Sequence, residues 1–282
     1  MNATIQYINS ELGDLYPVSE IEGFTRIIFE TVCGWSFTDQ VVKKHVKIQE
    51  TDFSRIQKIV FRLKKFEPVQ YILGETEFYG LKLTVNPSVL IPRPETEELV
   101  HWIVKSNIPE NSKVLDVGTG SGCIALALKR QLKNTEITGI DISENALEVA
   151  RLNALKNNLD VNFFKADILN WEVTKWDEFT VIVSNPPYIR ENEKTQMLPN
   201  VLNYEPQNAL FVSDGDPLVF YRSIAAFAKK YLVGKGMLFF EINENLGSEM
   251  IHLLKEFGFS DFEIRKDING KNRIICCRKS FN

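Results

Sequence analysis

Hydrophobic positions in the first quarter of the chain recur at the spacing of α-helices. Ile21, Phe24 and Ile28 fall three or four residues apart, and the apolar residues between positions 53 and 63 repeat the pattern. The pattern predicts a small helical domain over residues 1–75. No residue in this region suggests catalytic chemistry.

The hydrophobic pattern changes after this region. Phe78 and Leu81 lie on either side of Tyr79-Gly80, and apolar residues alternate with polar ones through Leu83. This arrangement predicts a β-hairpin. We expect the hairpin, residues 76–92, to link the helical domain to a second domain.

Strand-like and helix-like segments alternate along the rest of the chain. The strand-like segments after residue 112 include KVLDVG, EITGIDI, VNFFKAD, FTVIVS and GMLFFEIN. Such alternation is typical of an α/β fold with a mostly parallel sheet and right-handed crossovers. The last two strands flank Asn269-Gly270. We expect residues 93–282 to form this second domain.

Composition and charge narrow the classes of function. The chain has 282 residues, 44% of them hydrophobic, and a formal net charge of −4, so no overall basic field favours binding to nucleic acid. The first residues lack the pattern of a signal peptide, and no apolar run is long enough for a membrane helix. The cysteines and histidines lack metal-ligand spacing. We expect a cytoplasmic protein that binds neither membrane nor metal.

A glycine-rich turn follows the first strand of the predicted sheet. In LDVGTGSG, residues 115–122, a strand passes into the turn and then into a helix, and ligands bind at such strand ends in open parallel sheets. A dinucleotide fingerprint counted from Gly118 would need glycine at position 123, which is Cys123. The pattern D-x-G-x-G-x-G instead resembles the S-adenosylmethionine loop of Rossmann-like methyltransferases. The candidate cofactor residues of this loop are Asp116, Gly118, Thr119, Gly120, Ser121 and Gly122.

Three aspartates end successive strands of the same sheet. Asp116 suits the ammonium group of the cofactor, and Asp141 is placed to accept hydrogen bonds from ribose hydroxyls. Asp167 is placed to accept from the adenine amino group, with Ile168 covering the ring. A single aspartate at such a place is commonly a helix cap or a turn residue. Three together favour a cofactor site.

The next strand ends in an unusual tetrapeptide, Asn-Pro-Pro-Tyr, at residues 185–188. Prolines commonly end strands. The tetrapeptide also resembles the [D/N/S]-P-P-[Y/F] motif of methyltransferases that act on a planar nitrogen, either a base amine or a side-chain amide. The Asn185 side-chain oxygen and the Pro186 carbonyl can accept the two hydrogens of an NH₂ group, and Pro187 adds rigidity. Tyr188 offers a flat wall and a cation–π contact to the methyl group. Asn185 should also lie beside the cofactor.

Motifs spread over nearly the whole chain resemble HemK/PrmC-type release factor glutamine methyltransferases. Beyond the tetrapeptide, they are EPVQYILGETEFYG, VLIPRPETEELV, DVGTGSG and YEPQNALFVSDGDPL. The resemblance implies a class I S-adenosylmethionine-dependent fold, with a mostly parallel seven-stranded sheet and an antiparallel C-terminal strand. Arg93 in IPRPETE has two open interpretations, cofactor anchoring and packing. Ile168 stands where some relatives carry an aromatic residue.

The resemblance also implies a reaction and a partner. The substrate is the glutamine of the Gly-Gly-Gln motif in bacterial class I peptide chain release factors, methylated at N5, with S-adenosylhomocysteine as the second product. The helical domain is then the part that contacts the release factor. Alternative functions are glutamine methylation of a ribosomal protein, adenine-N6 methylation of DNA, and cofactor binding without catalysis. Methylation of DNA would require base flipping and a polyanion site.

Overall fold

The computed structural model describes residues 1–280, except for the side chain of Gln196. The chain forms two compact units. The helical unit comprises residues 1–74 and 198–204, and the sheet unit comprises residues 75–197 and the chain from residue 205 onward. The hairpin, which the sequence suggested as a linker, lies within the sheet unit.

The helical unit consists of helices, and residues of the first, second, fourth and fifth helices form one apolar core. The helices are α1 (Asn2–Leu12), α2 (Val18–Cys33), α3 (Phe37–Val42), α4 (Glu50–Leu63), α5 (Val69–Leu73) and α9 (Pro199–Leu202). The helical spacing in the sequence places Ile21, Phe24 and Ile28 in this core, together with Ile56 of α4. A side chain from the returning segment also joins the unit, because the Tyr204 hydroxyl donates to the Lys65 carbonyl over 2.8 Å.

The sheet unit begins with the hairpin. Strands β1 (Glu75–Phe78) and β2 (Leu81–Thr84) pair antiparallel, with Phe78 opposite Leu81. Tyr79 and Gly80 between them both have positive φ, 48° and 74°. Two residues with positive φ form the turn that matches the twist of paired strands, which explains the tight connection.

Within the described residues, seven strands form the central sheet. They are β3 (Lys113–Val117), β4 (Glu136–Asp141), β5 (Asn162–Lys165), β6 (Phe179–Ser184), β9 (Leu232–Glu241), β10 (Phe259–Lys266) and β11 (Asn272–Lys279). Their order is β10-β11-β9-β6-β3-β4-β5. Only β11 runs antiparallel to its neighbours. The predicted α/β fold, a mostly parallel sheet with an antiparallel C-terminal strand, is confirmed. A separate pair is formed by β7 (Ile189–Arg190) and β8 (Phe211–Val212).

Helices cover the sheet, and two apolar cores fill the layers. The helices are α6 (Pro94–Lys105), α7 (Cys123–Gln131), α8 (Glu144–Asn157), α10 (Gln207–Leu210), α11 (Val219–Tyr231) and α12 (Gly247–Glu256). Alternation along β6 sends Val181 and Val183 into one core and Ile182 into the other. Across the part of the chain that the structure describes, every helix is too short or too polar to cross a membrane.

The strand order creates a crevice at one edge of the sheet. Strand β3 has β4 on one side and β6 on the other, so the chain reverses direction across the sheet at this point. Ligands bind at the carboxyl ends of the strands at such a switch point. The glycine-rich turn after β3 and the tetrapeptide after β6 both lie here.

Candidate active site

A cavity of about 340 Å³ opens at the carboxyl ends of β3, β4 and β6. Its size lies within the range of small-molecule sites. The wall combines the glycine-rich loop, the ends of β4, β5 and β6, and residues 88–93, here called the strap. The predicted site residues in the wall are Gly118, Thr119, Gly120, Ser121, Asp141, Asp167, Ile168, Asn185, Pro186 and Pro187. Asp116, Gly122 and Tyr188 do not line the cavity.

The glycine-rich loop presents backbone to the cavity. Gly118 and Gly120 have φ values of 71° and 54°, and a Cβ added to either would meet no atom within 4 Å. The amides of Gly118 and Thr119 both donate to the Ile140 carbonyl over 2.9 Å. The loop is therefore attached to β4, with open space above it in which a ligand can approach the backbone.

Asp116 holds this loop from behind. The carboxyl group is fully buried, and its Oδ2 accepts from the Thr119 hydroxyl at 2.6 Å and from the Ala125 amide at 3.2 Å. Burial raises its pKa to about 7. The other oxygen, Oδ1, has no partner among the described atoms. Asp116 thus supports the loop without reaching the cavity surface, where the sequence analysis expected a contact to the ammonium group.

Gly122 and Ser121 join the loop to α8 and the following strand. Gly122 has a φ of 79°, and a Cβ there would lie 3.1 Å from both Ala150 Cβ and Phe163 Cζ. The Ser121 carbonyl accepts from the buried Asn153 amide at 3.0 Å. Glycine at position 122 is therefore needed for packing, not for contact with a ligand.

Asp141 is held at the cavity wall by two backbone amides. Its Oδ2 accepts from Gly120 and its Oδ1 from Ser143, both at 2.9 Å. Burial raises the pKa of this carboxyl group above its ordinary value. Each carboxylate oxygen can accept more than one hydrogen bond, so Asp141 can still accept from hydroxyl groups in the cavity.

Asp167 has a local role that the sequence analysis considered as the alternative. Its Oδ1 accepts from the Leu169 amide at 2.9 Å and its Oδ2 from the Asn170 side chain at 2.6 Å. The carboxylate therefore caps the 3₁₀ turn Ile168–Val173 while lining the cavity. Ile168 lines the cavity, and its contact with adenine stays a prediction. The exposed Ile142, which the sequence analysis missed, adds a second branched apolar side chain.

The tetrapeptide after β6 splits between the cavity and the interior. Asn185, Pro186 and Pro187 line the cavity. Tyr188 packs against the core, and its hydroxyl donates to Glu241 Oε1 at 3.0 Å. Desolvation raises the pKa of the phenol well above its ordinary value. Tyr188 therefore does not form the wall of the cavity that the sequence pattern suggested.

Two polar residues behind Asn185 escaped the sequence analysis. Asn185 Nδ2 donates to Thr96 Oγ1 at 3.2 Å, and the Thr96 hydroxyl donates to Glu241 Oε2 at 2.7 Å. Strands β6 and β9 are parallel with Ser184 opposite Phe240, so Asn185 and Glu241 emerge side by side. Glu241 had a readable signal, since it is an acidic residue at the end of an apolar strand, as Asp141 is. Thr96 carried none.

An ion pair holds the strap. Arg93 pairs with Glu205, which also accepts from the Ile91 amide at 3.2 Å. The Glu205 side chain is 1% exposed and that of Arg93 is 34% exposed. The guanidinium group is thus engaged with a buried carboxylate at the edge of the cavity.

Family models match both units. The PrmC N-terminal domain matches residues 5–74, and the methyltransferase small domain matches residues 96–219. The release factor glutamine methyltransferase of Flavobacterium psychrophilum is 44% identical over 278 residues, covering 97% of each chain. The release factor glutamine methyltransferase of Bacteroides thetaiotaomicron is 42% identical and covers 99% of this chain and 100% of its own. The chain belongs to the release factor glutamine methyltransferase family.

Solved methyltransferases share the fold. A methyltransferase from Pyrococcus furiosus gives a TM-score of 0.54 at 18% identity, covering 83% of this chain and all of its own. The T. thermophilus 16S rRNA N2 G1207 methyltransferase, in complex with AdoMet and guanosine, gives 0.53 at 19% identity, covering 73% of this chain and 49% of its own. Membership of the release factor glutamine methyltransferase family makes this chain a methyltransferase enzyme with S-adenosylmethionine as cofactor, as predicted.

The cavity of this family member suits that cofactor. Open space over Gly118 and Gly120 admits a ligand against the backbone, and the Asp141 carboxylate offers acceptors for hydroxyl groups. Ile142 and Ile168 supply apolar surface for a flat ring. The assignment of individual residues to parts of the cofactor remains a prediction.

Proposed function

We propose that this enzyme transfers a methyl group to the N5 amide nitrogen of a glutamine, in the Gly-Gly-Gln motif of bacterial class I peptide chain release factors. The observation that carries the proposal is the amide of Asn185 at the cavity wall. Its NH₂ group is occupied by Thr96, and no described group donates to its oxygen. An acceptor without a protein donor in this place suits an incoming NH₂ group.

The chemistry explains why such acceptors are needed. The nitrogen of an amide is a poor nucleophile because its lone pair is delocalised into the carbonyl group. Asn185 Oδ1 and the Pro186 carbonyl would accept the two hydrogens, and the adjacent Pro187 limits movement of the backbone. Correct orientation of a reacting group can supply roughly 7–11 kcal/mol of the barrier. S-adenosylmethionine supplies an electrophilic methyl group when it is bound.

In this proposal Tyr188 supports the tetrapeptide from the interior and does not form the flat wall for the substrate that its sequence position suggested. Its hydroxyl bond to Glu241 and its packing against the core support the backbone of the tetrapeptide. The flat wall for the substrate amide then comes from the proline rings, which line the cavity.

The two units have separate tasks in the proposal. The sheet unit holds the cofactor and the reacting groups, and the helical unit contacts the release factor. The names of the relatives from F. psychrophilum and B. thetaiotaomicron support the choice of partner. The net charge of −4 does not favour direct contact with nucleic acid. Methylation of a translation factor places the enzyme in the cytoplasm.

Transfer of a labelled methyl group tests the function directly. The enzyme is incubated with labelled cofactor and a class I release factor, a ribosomal protein fraction or DNA. We expect label on the release factor, lost when its Gly-Gly-Gln glutamine is replaced by alanine. Label on a ribosomal protein alone would support the alternative protein substrate, and label on DNA alone would overturn the proposal.

The Asn185→Ala variant tests the assigned chemistry. We expect it to lose methyl transfer while it keeps its affinity for the cofactor, because the fold of the glycine-rich loop does not depend on this side chain. Asn162→Ala changes an exposed asparagine on β5 and serves as the matched control. An undiminished rate in Asn185→Ala would remove Asn185 from the mechanism.

A further inference from the structure

Four side chains form one hydrogen-bonded network at the cavity wall, which Asn185 and Thr96 line. Asn185 donates to Thr96, and both Thr96 and Tyr188 donate to Glu241, over 3.2, 2.7 and 3.0 Å. Thr96 lies on α6, Glu241 ends β9, and the other two belong to the tetrapeptide after β6. Thr96 and Glu241 are almost fully buried, at 2% and 1% exposed. Water therefore does not compete for the bond between Thr96 and Glu241.

The number of hydrogens in the network sets the direction of each bond. An ionised carboxylate only accepts, and a threonine hydroxyl has a single hydrogen. Thr96 directs that hydrogen to Glu241, so toward Asn185 its oxygen can only accept. The Asn185 amide must then present NH₂ to Thr96 and its oxygen to the cavity.

The same amide turned by 180° would present the wrong group to a substrate. The two ends of an asparagine side chain have nearly the same shape, so packing alone selects weakly between them and the hydrogen-bond partners decide. A flipped amide would aim its NH₂ group at the substrate NH₂ group, two donors facing each other. Such a site would leave the substrate nitrogen without one of its two acceptors.

We propose that Glu241, acting through Thr96, is a positioning residue that locks the Asn185 amide with its oxygen toward the substrate. The inference rests on the proposed function, because it takes Asn185 as an acceptor for the glutamine NH₂ group. The fixed orientation of the Asn185 amide also explains substrate specificity, because two fixed acceptors bind the amide of glutamine and repel the carboxylate of glutamate. A donor at either position would weaken this discrimination.

Charged groups around Glu241 favour its acceptor role. Burial raises the pKa of Glu241 above its ordinary value, and Glu95 adds a small upward effect, whereas the hydrogen bonds from Thr96 and Tyr188 and the charge of Arg273 lower it. Arg273 is itself held by Asp267 at 3.0 Å. Two hydroxyl donors and a nearby cation compensate the buried negative charge, so the carboxylate has the partners that it needs.

Replacing Thr96 with residues of matched size tests the network. Thr96→Val keeps the volume and removes the hydroxyl group, whereas Thr96→Ser keeps the hydroxyl group. We expect Thr96→Val to lower kcat with the release factor roughly tenfold to a hundredfold. Its cofactor affinity should stay close to that of the parent, whereas its Tm should fall because the buried Glu241 carboxylate loses a donor. Thr96→Ser should keep most of the rate. A fall in cofactor affinity as large as the fall in kcat, or an equal fall in kcat for Thr96→Ser, would indicate a structural role and overturn the inference.

Replacing Glu241 tests the direction of the bonds. Glu241→Gln keeps the shape and adds an NH₂ group that can donate to Thr96, which releases the Thr96 hydrogen toward Asn185. We expect a loss of kcat similar to that of Thr96→Val. The double variant should be no slower than either single variant, because both act through the same amide. Additive losses would contradict this coupling, and if Glu241→Gln fails to fold, the two Thr96 variants decide.

These results separate the inference from the proposed function. An active Asn185→Ala variant would remove the acceptor role, and the network inference would fail with it. If Asn185→Ala is inactive while Thr96→Val and Glu241→Gln keep full kcat, the proposed function stands and the network inference alone is refuted.

Discussion

The ion pair between Arg93 and Glu205 offers a quantitative test of how the strap is held over the cofactor cavity. Arg93→Ala removes the guanidinium group and leaves the Glu205 carboxylate with the Ile91 amide, at 3.2 Å, as its remaining donor within the described residues. Glu205 is 1% exposed, so solvent cannot replace the lost partner without movement of the strap.

The cost follows from these exposures. Breaking a fully buried pair costs about 3–5 kcal/mol, because a charge stays buried without its counter-charge. Arg93 is 34% exposed, so water screens the pair in part. The discounted cost is about 1.5–3 kcal/mol in the free energy of unfolding, the range of a hydrogen bond to a charged group. The strap lines the cavity, so its movement would also weaken cofactor binding. If about 1.4 kcal/mol of binding free energy were lost, the affinity for the cofactor would fall tenfold.

A double-mutant cycle measures the pair itself. Arg93→Ala, Glu205→Gln and the double variant are compared by urea unfolding and by calorimetric titration with S-adenosylmethionine. We expect the double variant to lose less stability than the sum of the singles, with a coupling of about 1–2 kcal/mol. Arg222→Ala is the control, because Arg222 forms an exposed pair with Asp216 at 2.6 Å and should cost no more than about 1 kcal/mol.

Two outcomes would refute this reasoning. A cost for Arg93→Ala no larger than that for Arg222→Ala would mean that the burial of Glu205 does not strengthen the pair. Additive effects in the cycle would mean that the two side chains act independently. Full stability with weaker cofactor binding would instead indicate that Arg93 contacts the cofactor.

Three further predictions concern the glycine-rich loop and its neighbours. Gly139→Ala would bring a Cβ within 2.6 Å of Phe163 Cε1 and 2.8 Å of Thr119 Oγ1. We therefore expect the free energy of unfolding, measured in urea, to fall by about 1–3 kcal/mol and cofactor binding to weaken. An unchanged free energy of unfolding and an unchanged cofactor affinity would contradict the tight packing. Asp141→Ala should weaken cofactor binding in calorimetry, and an unaltered affinity would count against its assigned role. The pKa of Asp116 is raised to about 7 in the folded chain, so the folded chain holds this proton at pH values where the unfolded chain has lost it. The contribution of Asp116 to stability should therefore fall as the pH rises from about 4 to 7. Urea unfolding across that range should show a smaller fall for Asp116→Asn than for the parent, and identical slopes would refute the assignment.

Local patterns in the sequence determined the architecture and the place of the site. The helical spacing around Phe24 and the alternation of strands and helices after residue 112 are repeated, short-range signals. The glycines at 118 and 120 need positive φ, and that need is readable wherever the chain turns from a strand into a helix. The tetrapeptide at 185–188 marked the same edge of the sheet. Each of these signals lies within a few residues of its consequence.

Only the tertiary structure decided which way the polar side chains at that edge point. Asp116 turns behind the loop to meet Thr119, and Tyr188 turns into the core to meet Glu241, although their positions in the motifs suggested contact with ligands. Arg93 finds its partner 112 residues away. Such pairings depend on the register of parallel strands and on the space that remains after the apolar cores have packed. The residues next to Arg93 or Tyr188 in the sequence do not reveal which distant side chain each will meet. These partners become apparent only when the distant segments come together in the fold.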